Sequence, residues 1–291
     1  MTEYIVMTCL CGQRIATQLF ASGLYDVIKC SRCGQVRTRA LRGEKRIGYY
    51  EQEDVQFYID KQDMFRQLFR QLLGFIHKFA PKGTLLDIGA GVGLLLDEAR
   101  KMGYRVMGFE PSKASVAAAK KYFGINLIPK EFSGKSLERK DYTLDPRVRG
   151  DDNKRSGDDG IDIVVINHVL EHLKNPKEII GLCAETLSDA GVLVIGVPNF
   201  NSFMRWIKRG KWQSLIPGQH RWQFTLTSLD QLVLPHGFRR IAVSYENHDR
   251  SMHYWWKKPI YRVLDWIALW TGYAEAMLVI YKKISNSQII Q

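Results

Sequence analysis

The sequence predicts an α/β protein in which a doubly wound, mostly parallel sheet of seven strands follows a small N-terminal cysteine module. Three observations carry that prediction. From residue 84 onward, short and mainly apolar runs such as IDIVVIN (161–167) and GVLVIGV (191–197) alternate with stretches of helical periodicity, the pattern of a parallel sheet buried on both faces. The first apolar run leads into a glycine-rich turn, Asp87-Ile-Gly89-Ala90-Gly91-Val-Gly93. Four of the five cysteines fall within the first 33 residues. A chain of 291 residues suits this division, because single cores stop growing at roughly 250–300 residues.

Taken in order, residues 1–48 read as a zinc-ribbon-like module. Cys9-Leu-Cys11 and Cys30-Ser-Arg-Cys33 are each followed by glycine, Gly12 and Gly34. Four thiolates on two tight turns can surround zinc tetrahedrally, and glycine accepts the left-handed backbone that turns amides toward sulfur. The first pair is spaced C-x-C rather than the commoner C-x2-C, so a metal-free hairpin with inert thiols stays open as the alternative. Residues 49–82 form a linking helix whose apolar positions 65, 68, 69, 72, 73, 76 and 79 share one face, stopped by Pro81 and Gly83.

Residues 83–284 form the main domain, with strands expected at 84–88, 104–110, 125–129, 161–167, 191–197, 239–246 and 273–283. The last two should make an antiparallel hairpin. Helices fill 94–102, the stretch from a Ser112 cap to Gly124, and the stretch opened by Asn175 and Pro176. Cys183, isolated in an apolar helical pattern, reads as a small core residue. Residues 141–160 hold ten charges in twenty positions, a polar insertion assigned no chemistry. Segments 200–235 and 250–272 read as substrate-side or surface segments.

The net charge of +12 is unevenly spread. Residues 81–199 hold 17 basic and 17 acidic residues, whereas 200–291 hold 13 against 5, together with all seven tryptophans. That pairing points to an anionic or amphipathic partner. FMRWIKRGKW (203–212) reads as a lid or substrate-facing segment, and the Trp266/Trp270 face as a helix packed on the core, a homodimer contact or a peripheral membrane contact. The start MTEYIVMTC lacks a basic region and a long apolar run, and no stretch is apolar enough to span a bilayer, so a cytoplasmic protein is expected, at most peripheral to the inner membrane surface.

The chemistry concentrates at the glycine turn. Glycines let the backbone pass close to a nucleotide-like ligand at the carboxyl ends of parallel strands, and Glu110, ending the second strand, can accept from both ribose hydroxyls. A dinucleotide fingerprint would need glycine at 94, where this chain has Leu94. Here the sequence resembles the class I S-adenosylmethionine-dependent methyltransferases, whose first motif is D-x-G-x-G-x-G and whose fold is Rossmann-like. INHVLEHLKNP (166–176) is similar to the segment of the subfamily carrying V-L-E-H, and HRWQFTLTSLDQLVLPHGF (220–238) to its H-x-x-x-F-T stretch. The cysteine module before such a domain resembles methyltransferases with an N-terminal zinc-binding region, including sugar C-methyltransferases.

The resemblance implies S-adenosylmethionine as cofactor, cradled by Asp87, Gly89, Ala90, Gly91 and Gly93, with Glu110 as ribose clamp. It places Asn167 and His168 facing cofactor and acceptor. Glu131 is the nearest candidate to contact adenine. His220, in Pro217-Gly218-Gln219-His220, matches the final histidine of a Tyr-His-Glu-His run in the sugar C-methyltransferases and is a candidate base, with His168 and His172 as the others. Gln219 and Pro217 replace the family's glutamate and tyrosine, which leaves O- and C-methylation both open. The competing readings are that His220 only orders the loop before a Thr227–Asp230 capping box, and that Glu171 and His172 merely satisfy the loop before Pro176. At the level of function, an NAD(P)-dependent oxidoreductase and a zinc-containing RNA-binding protein are the alternatives. Leu94 and the neutral central domain weigh against them.

Overall fold

Two sheets organise the protein in its computed structural model, which describes residues 8–40, 55–134, 160–247 and 258–284. The larger has six strands in the order β5-β4-β6-β7-β10-β9, formed by Thr84–Ile88 (β4), Arg105–Phe109 (β5), Ile161–Asn167 (β6), Leu187–Pro198 (β7), Phe238–Glu246 (β9) and Ala276–Lys283 (β10). The first four run parallel, and β10 lies antiparallel between β7 and β9. The expected third strand at 125–129 is reduced to one bridge, Phe109 to Ile128. Ile125 and Leu127 bury toward the helices instead, so the described sheet has six strands rather than seven.

Period-2 alternation sends the strand side chains to two cores. Leu86, Ile88, Val164, Ile166, Leu193 and Ile195 pack on one face with Ile180 and Cys183 of Pro176–Thr186 (α5) and Leu229 of Leu226–Val233 (α7). Leu85, Ile163, Val165, Val192 and Val194 pack on the other with Leu73 and Ile76 of Gln62–His77 (α2) and Leu96 of Leu94–Lys101 (α3). Cys183 is fully buried, as its setting predicts. Ser112 caps Lys113–Ala118 (α4) by accepting from Ser115 N. Asn175 occupies its cap position but donates to Glu178 Oε2 rather than accepting a helix amide. The capping box forms two residues earlier than expected: Thr225 and Ser228 bond reciprocally, because Thr225, not Thr227, holds the extended cap conformation.

The smaller sheet joins the N-terminal strands to a later part of the chain. Ala16–Ser22 (β1), Tyr25–Cys30 (β2) and Val36–Ala40 (β3) form an antiparallel meander, and its fourth strand is Trp222–Gln223 (β8), from the main domain. Val27 and Val36 share a core with Phe200, Met204, Trp212 and Leu215. The 203–212 segment, with Phe203–Lys208 (α6), is therefore half docked: Trp212 is buried, Ser22 Oγ donates to Gly210 O at 2.9 Å, and Trp206 remains exposed. On Lys258–Thr271 (α8), Trp266 and Trp270 stack at 6.5 Å and are 67% and 81% exposed, so this face is not packed on the core. Among the described residues, no helix is long and apolar enough to cross a membrane. The 141–160 insertion, apart from Gly160, and positions 250–257 lie outside the described residues.

Candidate functional site

The floor of the candidate cofactor site is built by one turn at the carboxyl end of β4. Gly89 and Ala90 both donate from their amides to Phe109 O, at 2.8 and 3.0 Å, which locks the turn to β5. Gly89 and Gly91 have φ of 78° and 51°, left-handed values that cost L-residues energy. A Cβ on Gly89 would stand 2.5 Å from a methyl of Val169. Glu110 is buried, its Oε2 accepting from Gly91 N at 2.9 Å and its Oε1 from Ser112 N at 2.7 Å. A carboxylate oxygen can accept more than one hydrogen bond.

A cavity of about 330 Å³ opens over this turn, large enough for a small-molecule ligand. Asp87, Gly89, Ala90, Gly91, Glu110, Asn167 and His168 all line it, so the structure brings together most of the residues named from the motifs. Gly93 instead caps α3 with φ 80°, and Glu131 is exposed outside the lining. Burial, with the Glu110 charge adding to it, pushes the Asp87 carboxyl up to about 8.

Sequence reasoning missed part of the wall. Tyr58 of Val55–Asp60 (α1) and Phe65 and Phe69 of α2 line the cavity, so the linking helix covers the site as well as connecting domains. The signal was their aromatic spacing: Tyr58 and Phe65 rings lie 4.9 Å apart and Phe65 and Phe69 6.3 Å. Glu246 at the end of β9 lines the cavity as well. Gly196 was also missed; a Cβ there would overlap Asn167 Oδ1, so its absence makes room for that side chain.

The three candidate bases are not equivalent. His168 has φ 55°, a strained value for a non-glycine residue, and its amide donates to Gly196 O at 2.8 Å. Its Nδ1 lies 3.5 Å from Oε1 of the buried Glu171. Desolvation opposes the imidazolium, but the Glu171 carboxylate outweighs it and raises the His168 pKa. His172 and His220 stand behind Glu171, outside the cavity lining, with rings 4.6 Å apart at 83°. The buried His220 donates its Nδ1–H to Ser214 O at 2.8 Å. Burial lowers the pKa of both imidazoles, that of His172 to about 4. Ligand atoms of Glu171, His172 and His220 lie within 4.8 Å of one another.

A second cluster sits at the tip of the cysteine module. Cys9 and Cys33 Sγ are 3.4 Å apart, Cys11 and Cys30 3.6 Å, and all four lie within 4.8 Å. Tetrahedral zinc with Zn–S near 2.3 Å needs sulfurs about 3.8 Å apart, so the set fits. Gly12 and Gly34 follow the turns at φ 83° and 74°. Burial opposes ionisation of Cys30, but the Cys33 and Arg32 amides outweigh it and bring the thiol down to about 6.

Residues 62–243 match the family described as a methyltransferase domain, more than half of the chain, and the chain belongs to that family. A curated relative, the ubiquinone biosynthesis O-methyltransferase of Rhodopseudomonas palustris, is 30% identical over 54% of this chain and 58% of its own length. The chain thus spans little more than half of the curated relatives it matches. Among solved structures, a SAM-dependent methyltransferase from Archaeoglobus fulgidus aligns with TM-score 0.51 and 19% identity over 78% of this chain and 99% of its own. The plantazolicin methyltransferase BpumL in complex with SAH aligns with TM-score 0.51 and 16% identity, over 81% and 93%. Both show the fold alone.

Proposed function

We propose that this member of the methyltransferase-domain family transfers a methyl group from S-adenosylmethionine to an oxygen of a small, anionic or amphipathic acceptor, such as a sugar or lipid intermediate. The observation that carries the reading is the convergence of Asp87, the 89–91 turn, Glu110 and His168 on one cavity. Among the described residues no lysine or arginine lines that cavity, and three acidic side chains, Asp87, Glu110 and Glu246, do, a set suited to a ligand that is cationic at one end and carries ribose hydroxyls. The O-methyltransferase name of the 30% identical relative favours oxygen over carbon.

When bound, S-adenosylmethionine supplies an electrophilic sulfonium methyl. The chain's part is placement and proton removal. Glu110 would hold the ribose, and the amides of the turn the amino-acid end. His168, with Nδ1 turned to Glu171, leaves Nε2 for the acceptor hydroxyl and takes its proton as the new bond forms, an effect typically worth about 100- to 10,000-fold. His220 and His172 then act from behind, holding the Glu171 turn. Cys9, Cys11, Cys30 and Cys33 would hold one structural zinc, closed to substrate.

Calorimetry tests the cofactor: Glu110→Ala should weaken S-adenosylmethionine binding at least tenfold, and unchanged affinity overturns the assignment. A screen of sugar nucleotides, lipid-linked precursors and phenols for methyl uptake identifies the acceptor. With an acceptor in hand, His168→Ala should lower turnover more than His220→Ala; the reverse order would return the base to His220.

A further inference from the structure

Strand β3 of the cysteine module ends against the segment that carries His220. The Thr38 hydroxyl donates to His220 O at 2.6 Å, and the Thr38 amide donates to Arg221 O at 3.0 Å. Val36 and Arg37 pair with Gln223 and Trp222, and Gln35 Nε2 donates to Gln223 O at 3.0 Å. Gln35, Arg37, Thr38 and Gln223 are all buried. On its other side the same segment reaches the site: Arg221 and Trp222 donate from their amides to Glu171 O at 2.8 and 3.2 Å, and Trp222 Nε1 donates to Leu173 O at 2.9 Å. A strand of two residues has no stability of its own, so residues 220–223 are held by what lies on either side. The amides of the 89–91 turn donate elsewhere, to Phe109 O and Glu110 Oε2.

We propose that the cysteine module is a clamp on the acceptor side of the cavity. Thr38 is a positioning residue that fixes His220–Gln223 and, through the Glu171 and Leu173 carbonyls, the turn presenting His168. Metal loading of the four cysteines accordingly sets acceptor affinity rather than cofactor affinity. The acceptor half of this inference rests on the methyl-transfer reading; the clamp itself is measurable without an acceptor.

The test is hydrogen exchange across residues 214–224 in the full chain, zinc-loaded and zinc-stripped, with Thr38→Val and Thr38→Ser. Valine keeps the shape but leaves a buried carbonyl without its donor. The Arg221 and Trp222 amides should exchange at least tenfold faster in Thr38→Val and in stripped protein, serine should restore protection, and S-adenosylmethionine affinity should stay within twofold. With an acceptor, KM should rise at least fivefold in Thr38→Val while kcat changes less. Unchanged exchange in both Thr38→Val and stripped protein overturns the clamp, as does a parallel loss of cofactor affinity. If Thr38→Val does not fold, Gln35→Met gives the same readout through Gln223. Failure of the methyl-transfer reading would appear separately, as absent methyl uptake with the exchange pattern intact.

Discussion

Gly89 and Glu110 are 21 positions apart, and the strand, turn and carboxylate that meet at the cavity come from one β-α-β unit. Thr38 and His220, which share a 2.6 Å hydrogen bond, are separated by 182 positions. The proposed cofactor side is thus assembled from neighbours in sequence, where two short strands and a glycine turn have few other ways to pack. The proposed acceptor side is assembled from β3, β8 and the 168–173 turn, three pieces with no local reason to meet. The difference teaches that a cradle of this kind can be carried by a short motif, while the opposite wall of the site depends on long-range pairing.

The largest effect that would break this comparison belongs to Gly91→Val. Its φ of 51° and its place in the cavity should make valine reduce S-adenosylmethionine affinity by about 100-fold or more, while hydrogen exchange across 214–224 remains as in the parent. Faster exchange there would show that the two sides are one cooperative unit.

An intermediate effect belongs to the charged cluster that binds α2 to α3. Arg66 bonds Asp97 at 2.7 Å and also Glu98; Arg70, Arg100 and Lys101 complete the cluster. Arg66→Met should destabilise folding by about 2 kcal/mol, below the roughly 3–5 of a fully orphaned buried charge because the other cations remain. Burial opposes the charged forms, but these partners outweigh it and depress the Asp97 and Glu98 pKa values in the fold. Their contribution is therefore complete above the ordinary carboxylate range and is lost as pH falls through the depressed values. Urea titrations at pH 7 and in acid should show the gap between parent and variant closing in acid.

The smallest effect sharpens the acceptor side. Glu171 raises the His168 pKa, so Glu171→Gln should lower it, leaving the imidazole free to accept a proton in more acidic solution. The acidic limb of the pH–turnover profile should move to lower pH, with a severalfold change in turnover at the optimum. A profile that keeps its position would separate Glu171 from the base.

Much of this was legible in the sequence because the relevant physics is local. The runs at 84–88, 161–167 and 191–197 are too short and too apolar for anything but buried strands, and D-x-G-x-G-x-G demands backbone conformations that only glycine adopts at no cost. The cysteine spacing likewise fixed which four sulfurs could meet. Other features depended on packing that no local pattern records. INLIP has strand composition, yet its apolar side chains were claimed by the helices and only one bridge to β5 remained. The aromatic face of α1 and α2 reads as a core-facing helix until the cavity beneath it is seen. His168, His172 and His220 look alike as candidate bases in the sequence; only the tertiary structure put the first on the cavity and gathered the other two beside the buried Glu171, outside its lining, because His220 reaches that turn through the Arg221 and Trp222 amides donating to Glu171 O, a long-range contact that no local pattern records.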